Sequence, residues 1–430
     1  MASRNWDVSY EWKAVLILSL AFGLVGIDRF VLPPLFPSMM KDLHLNYQDL
    51  GNLVGVLSLA WGAAAIVFGN LSDRLGRRRV LVPAVVLFSL LSVLSGLATG
   101  LLSLLLIRLI MGVCEGPVAS TGVAVAVEAS HPTRRGMNNG FFQCTIALFG
   151  MGIAPILATQ LLKVTNWRHV YMIVGLPGLI VAVIMWFIIR EPASLAAAGG
   201  QRPQRAPILS MFRHRNVPLS MLGLLCAMTG IFVLGALMPN YLVDYLKLTG
   251  PQMGFITSAI GFGGALGQLG LLTLSDYIGR RSTILGSFLV AAIFLWFFIH
   301  TGANLTRLFV VLSIAALCNF GALAILAGPV PAEAAPPGLV ASAAGLVIGA
   351  GEIFGGGVAP SIAGAIAQHY GIQYTLYFAL FGQILGLFVC LFLRETAPRR
   401  SGSARGTVSE LDKLPEAGAT VRTEGTLAVD

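Results

Sequence analysis

Apolar residues follow one another in this chain in runs of about twenty, and a helix of that length is what crosses the hydrocarbon core of a bilayer. From those runs and the polar breaks between them, helices are expected near 14–36, 50–71, 80–100, 102–127, 139–161, 170–189, 218–243, 252–274, 283–301, 308–330, 338–366 and 373–393. The prediction is an all-α membrane protein with twelve transmembrane helices. Its composition agrees, since 56% of the residues are hydrophobic and 11% are charged.

Loop lysines and arginines set the orientation, because positively charged loops stay on the cytoplasmic side. With the N-terminus inside, the cytoplasmic segments hold 21 basic residues, while the outer segments hold five: Lys41, Lys163, Arg168, Lys247 and Arg307. Both termini are therefore expected to be cytoplasmic. This bias accounts for the net charge of +9 and leaves no basic soluble domain that would suggest a nucleic-acid partner. The first helix has no small-residue cleavage site near it and is expected to remain as an anchor. Cys114, Cys144, Cys226, Cys318 and Cys390 fall inside predicted helices without metal-ligand spacing and read as packing residues, so no metal or cofactor is expected.

Ser72 opens SDRLGRRR and Ser275 opens SDYIGRRS, 203 residues later; Arg190 opens REP and Arg394 opens RETAP, 204 residues later. Two landmarks at one spacing indicate a six-helix unit occurring twice, in parallel sense because an even number of spans separates the copies. The expected organisation is a cytoplasmic N-terminus at 1–13, six-helix bundles at 14–189 and 218–395, a Pro-, Gly- and Arg-rich cytoplasmic loop at 190–217, and a disordered cytoplasmic tail at 396–430. GNLSDRLGRRR, Gly69 to Arg79, resembles the signature loop of the major facilitator superfamily, and with its weaker second copy the resemblance covers residues 14 to 395. It implies the major facilitator fold. It also implies a gating loop in which Gly69, Asp73, Arg74, Gly76, Arg77 and Arg78, with Asp276 and Arg280 in the second copy, hold one conformation closed on the cytoplasmic side through charge contacts with helix ends. Gly69 and Gly76 would permit a close helix approach and a left-handed turn, respectively.

Five ionisable residues fall within the spans away from their ends: Asp28, Arg29, Arg108, Glu115 and Glu352. Each costs roughly 2.5 to 3.5 kcal/mol to insert, so a use for them is expected. From the helical rise of about 1.5 Å per residue, Asp28 and Glu115 come within a few turns of the same depth, and Glu352 sits near mid-depth of the eleventh helix. Arg108 and Glu115 are seven residues apart and share one face of the fourth helix. All five can line one cavity; the alternative is that Arg108 and Glu115 are a structural pair that fixes the fourth helix to a neighbour, and for Arg108 the two readings weigh equally. An arginine offers a carboxylate a planar fork and keeps its charge, and a carboxyl in a low-dielectric cavity can take up a proton on one side and release it on the other.

Asp28 and Arg29 late in the first helix, together with Arg108, Gly112, Glu115, Gly116 and Pro117 in the fourth, resemble the anion:cation symporter family of that superfamily. Members of that family carry sugar acids such as galactonate and hexuronates, and other organic anions. The resemblance implies that Arg29 engages the substrate carboxylate and that Asp28 and Glu115 bind the coupling protons. Trp61 falls where the family often has a pocket tyrosine. Gln143, Asn240, Tyr241, Gln268 and Asn319 are further candidates for substrate contact, with interhelical packing an equal alternative for each. Glu352, in GAGEIFGGG, stands where the family commonly has an asparagine that contacts sugar hydroxyls, and Gly26 removes an aromatic side chain two residues before the aspartate. Both departures point away from a polyhydroxy acid and toward an aromatic or short-chain one, and they make Glu352 a candidate third protonatable group.

The sequence thus predicts an inner-membrane secondary transporter that imports an organic carboxylate with protons by alternating access, as a monomer in the lipid bilayer. The main rival is a drug or metabolite:proton antiporter, whose fifth-helix signature is only approximated by Gly150, Gly152 and Pro155. A non-transporting membrane sensor on the same fold is the alternative from another class. No P-loop, metal cluster or nucleophile motif points to an enzyme.

Overall fold

The structure is a computed structural model that describes residues 7–131, 133–191, 208–335 and 340–397; the side chains of 69–70, 73–74, 208–210 and 340–342 lie outside that description. Most of the loop expected at 190–217 and nearly all of the tail expected at 396–430 therefore lie outside the described residues. What is described is all-α. The membrane-type helices are α1 (Val8–Leu43), α2 (Tyr47–Leu75), α3 (Arg77–Ser95), α4 (Leu101–Ala129), α5 (Arg135–Leu161), α6 (Trp167–Ile188), α7 (Asn216–Tyr245), α8 (Gly250–Ile278), α9 (Arg280–His300), α10 (Leu305–Ala334), α11 (Ala343–Tyr370) and α12 (Tyr374–Cys390). Eleven are long and apolar enough to cross a membrane; α12, at 17 residues, is shorter than the span expected at 373–393 because a turn follows Cys390.

Polar residues at the breaks start the helices. Asn46 and Asp49 form a reciprocal capping box at α2, each side chain accepting the other's backbone N–H. Asn166 and Asn304 cap α6 and α10. At α1 the side chain of Asp7 accepts the Tyr10 N–H, so the helix begins at Val8, ahead of the expected start at 14. Glu11 is thereby drawn into the buried part of α1, where Arg134, Asn138 and the His131 N–H all donate to its carboxylate. The rod breaks at Val31 because Pro33 and Pro34 have no N–H for the carbonyls of Arg29 and Phe30 four residues earlier. The break falls directly after the Asp28–Arg29 pair.

Packing repeats at an offset of six helices. Helix α1 packs on α5, α2 on α4 and α3 on α6; likewise α7 packs on α11, α8 on α10 and α9 on α12. Two seams join the sets, α2 against α11 and α5 against α8. Near the end that carries Tyr47 these seams are backbone-close. A Cβ on Gly364 would stand 2.7 Å from the Tyr47 carbonyl, and one on Gly261 would collide with the backbone of Met151 and Gly152. At the opposite end, which carries Arg77 and Arg280, a Cβ on Gly136 of α5, Gly270 of α8 or Gly345 of α11 would meet no atom of the described residues within 4 Å. Among the described residues the seams are sealed at the Tyr47 end and looser, or slack, toward the other, where Gly140 approaches Leu269 and Gly349 approaches Ile66. Both α5 and α11 pass through π-helical stretches at mid-length, Ile146–Ile153 and Gly351–Val358.

Candidate functional site

Arg29 is 5% exposed, and its Nη2 donates to the Ser58 hydroxyl at 2.8 Å and to Oε2 of Glu352 at 2.9 Å. The pair joins α1 to α11 across 323 residues of chain. Glu352 lies in the π-helical stretch, and its Oε2 fits against Gly356, where a Cβ would stand 3.0 Å from it. Three rings surround the guanidinium, with centroids at 4.6 Å for Phe232, 5.3 Å for Trp61 and 5.7 Å for Phe30. A desolvated cation over aromatic faces gains up to about 2 kcal/mol from each. The fork is not filled, because Nε of Arg29 has no hydrogen-bond partner. Beside it lies a cavity of about 10 Å³, room for one water, bounded by Arg29, Arg108, Val54, Leu57 and Ala236.

One residue earlier, Asp28 turns to the other side of α1. Its carboxyl lies close to that of Glu115 on α4 and to the Ser92 hydroxyl of α3, and no hydrogen bond of ordinary geometry reaches either carboxyl. Both are buried, at 2% and 0% exposure. Two adjacent buried carboxyls are arranged to share a proton, since two bare charges so close repel. Arg108 approaches from two turns earlier on α4. Its Nη1 donates to the Asp28 carbonyl at 3.3 Å and its Nη2 to the Tyr171 hydroxyl at 2.9 Å, so its direct bonds tie α4 to α1 and α6.

The five intramembrane charges are thus gathered about one point of α1, with Trp61 beside Arg29. The other candidates lie elsewhere. Asn240 donates to Asp244 at 3.0 Å and to the Met40 sulfur, near the sealed end. Tyr241 stacks on Tyr245 and leans on Phe298 within the α7–α12 set. Asn319 lines a second small cavity with Gln383, and the side chains of both keep buried polar atoms without partners. Gln143 and Gln268 are half-buried on α5 and α8. Gly26 also differs from its expected bearing on the pocket: it faces α5, where a Cβ would stand 2.7 Å from the Ile146 carbonyl, so close helix packing excludes a larger residue. Ser58 and Phe232 were not singled out from the sequence. Ser58 precedes Trp61 by one turn on the same face and was legible on that ground; Phe232 is one of 24 phenylalanines and carries no such signal.

At the slack end the two signature loops repeat their contacts. Gly76 and Gly279 turn with φ of 105° and 110°, conformations that side chains resist. Arg77 donates to Glu128 and Ser72, and Arg280 to Glu333, Asp276 and Ser275. The backbone N–H groups that open α3 and α9 are received by Glu191 and Glu395, anions at helix N-termini. Arg78 stacks on Trp186. The side chains of Asp73 and Arg74, and Gly69, expected in this gate, lie outside the described residues.

The sequence model of the Major Facilitator Superfamily matches residues 18–231 and 220–424, nearly the whole chain. The chain belongs to the major facilitator superfamily. It is accordingly a multi-pass transporter of the cell inner membrane and not an enzyme. Among curated proteins it is similar to a probable 4-methylmuconolactone transporter of Cupriavidus pinatubonensis, 28% identical over 394 residues that cover 87% of this chain and 88% of that one. It is also similar to a probable L-galactonate transporter of Escherichia coli, 28% identical over 60% of each chain, and to a 4-hydroxybenzoate transporter of Pseudomonas aeruginosa, 24% identical over 73% of this chain and 77% of that one. A crystal structure of a bacterial homologue of the human lysosomal transporter Spinster, inward-facing and occupied, superposes with a TM-score of 0.73 at 17% identity, covering 90% of this chain and 97% of that one. At that identity the likeness speaks for the fold.

Proposed function

We propose that this superfamily member is a proton-coupled symporter of an organic carboxylate, built of twelve spans in two six-helix bundles with both termini cytoplasmic, and working as a monomer. The observation that carries the reading is Arg29, a buried guanidinium with an unfilled donor edge, one residue from the buried carboxyl pair of Asp28 and Glu115. A fixed cation recruits the anion, and a carboxyl pair that trades protons lets the loaded site cross without stranding charge. Rings and aliphatic side chains around Arg29 favour an acid with an apolar, planar body over a polyhydroxy one. Relatives named for 4-hydroxybenzoate and 4-methylmuconolactone are consistent with that body, and one named for L-galactonate supports the anionic class. The basic loops at the slack end support an inward-facing state.

Calorimetry with 4-hydroxybenzoate and galactonate on purified protein tests the reading. Binding of the former is expected, and Arg29→Lys should weaken it by a factor of ten or more, since a point charge cannot reproduce a two-armed contact worth about 1.5 to 3 kcal/mol. Undiminished affinity in the lysine variant would remove Arg29 as the anchor, and preference for galactonate would remove the apolar-body assignment.

A further inference from the structure

We infer that Glu352 is a tethered competitor of the substrate: its carboxylate occupies the guanidinium that the substrate's carboxylate needs, and it must take a proton and release Arg29 before substrate binds. The inference rests on the proposed role of Arg29.

Three observations carry it. The bond is made with one arm. Nη2 of Arg29 is shared between Glu352 and Ser58, and Nε is left without a partner. A free carboxylate that spans Nε and Nη2 makes two parallel bonds where Glu352 makes one, so it keeps Arg29 from Glu352 once Glu352 has let go. Space is the second point. The cavity on the Leu57, Arg108 and Ala236 side of Arg29, which Glu352 does not line, holds no more than a water, so a substrate carboxylate has to take the side of the guanidinium that Glu352 holds. The third is the seat of Glu352, which is built for a side chain that moves. It projects from a π-helical turn beside Gly356 on its own helix, where a Cβ would crowd its Oε2 at 3.0 Å.

The charge balance sets the direction. Around Glu352, α1 contributes Arg29, while α2 and α7 contribute Ser58, Trp61 and Phe232; Asp28, Glu115 and Arg108 stand one layer beyond. When substrate takes Arg29, the Glu352 carboxylate would remain as a bare buried anion unless it binds a proton from the aqueous side to which the site is open. Protonation of Glu352 and arrival of the substrate anion are thus one neutral exchange at Arg29.

The test is 4-hydroxybenzoate binding by calorimetry to the full-length wild type, Glu352→Gln, Glu352→Asn and Arg29→Lys, near neutral and at mildly acidic pH. If the resting pair holds about nine-tenths of the molecules, removing it tightens apparent affinity about tenfold near neutrality. Both Glu352 variants should show that gain, and wild type should converge on them as pH falls, because a protonated Glu352 no longer competes. A melting transition like that of wild type identifies the variant to be read if one fails to fold. Should both variants match wild type in affinity and in pH dependence while Arg29→Lys still binds weakly, Glu352 is a structural partner only and the reading of Arg29 survives. If wild type does not bind the probe, or Arg29→Lys binds it as well as wild type does, both readings fall together.

Discussion

Asp28 and Arg29 are neighbours in sequence and opposites in surroundings. Successive residues of a helix point about 100° apart, so one α1 position faces the carboxyl of Glu115 and the next faces Glu352 and three rings. This separates the proton from the anion while keeping them within one turn. Replacing Glu115 by glutamine keeps its shape and removes its proton. Glu115→Gln proteoliposomes should lose proton-driven accumulation yet still exchange labelled for unlabelled substrate, and a variant that accumulates would take Glu115 out of the coupling. Arg108, which reads from sequence as either a cavity residue or a helix tie, bonds to the Asp28 carbonyl and to Tyr171. The tie could not be read from the sequence because both its acceptors lie on other helices, one of them a backbone atom. The pairing of Arg29 with Glu352 escaped for a similar reason: depth follows from counting residues, but which faces meet depends on how two helices 323 residues apart are rotated.

The signature loops show what element-level repeats can reveal. REP and RETAP stand out as landmarks, and their glutamates prove to be acceptors for the first N–H groups of α3 and α9. Glu128 and Glu333 complete the same pattern but are single acidic residues at helix ends, with no motif to mark them. Gly76 has a stated demand. Its φ is 105° and a Cβ would stand 2.7 Å from both Glu191 carboxylate oxygens, so Gly76→Ala should cost about 1 to 3 kcal/mol and lower the thermal midpoint. Gly302→Ala, with φ of 68° and no atom within 4 Å, is the control that carries backbone strain without the clash. Equal midpoints for the two variants would show that the Glu191 contact contributes nothing.

Across the whole molecule, the multi-spanning all-α fold was legible because hydrophobic length is a property of sequence; of the twelve spans expected, eleven are long and apolar enough to cross and α12 is shorter. Which end is open was not legible, since that depends on helices packing across the seams. Tyr47 donates to Asp244 at 2.9 Å, and Gln48 to the Ser361 carbonyl at 3.1 Å, where glycine backbones meet. A leucine at Gly364 would wedge that end apart. Gly364→Leu should therefore speed maleimide labelling of a cysteine placed at Gln48, against native cysteines that are all buried. An unchanged rate would mean that this seam does not close the molecule.

The bond between Arg29 and Glu352 also bears on idling. The other ion pairs described here each lie within one six-helix set, whereas this one stitches the two sets together at mid-depth. An empty carrier held by its own stitch is slow to turn over unloaded, and cargo that cuts the stitch is what sets it moving. On the proposal above, the residue that delays binding also spares the cell a futile leak of protons.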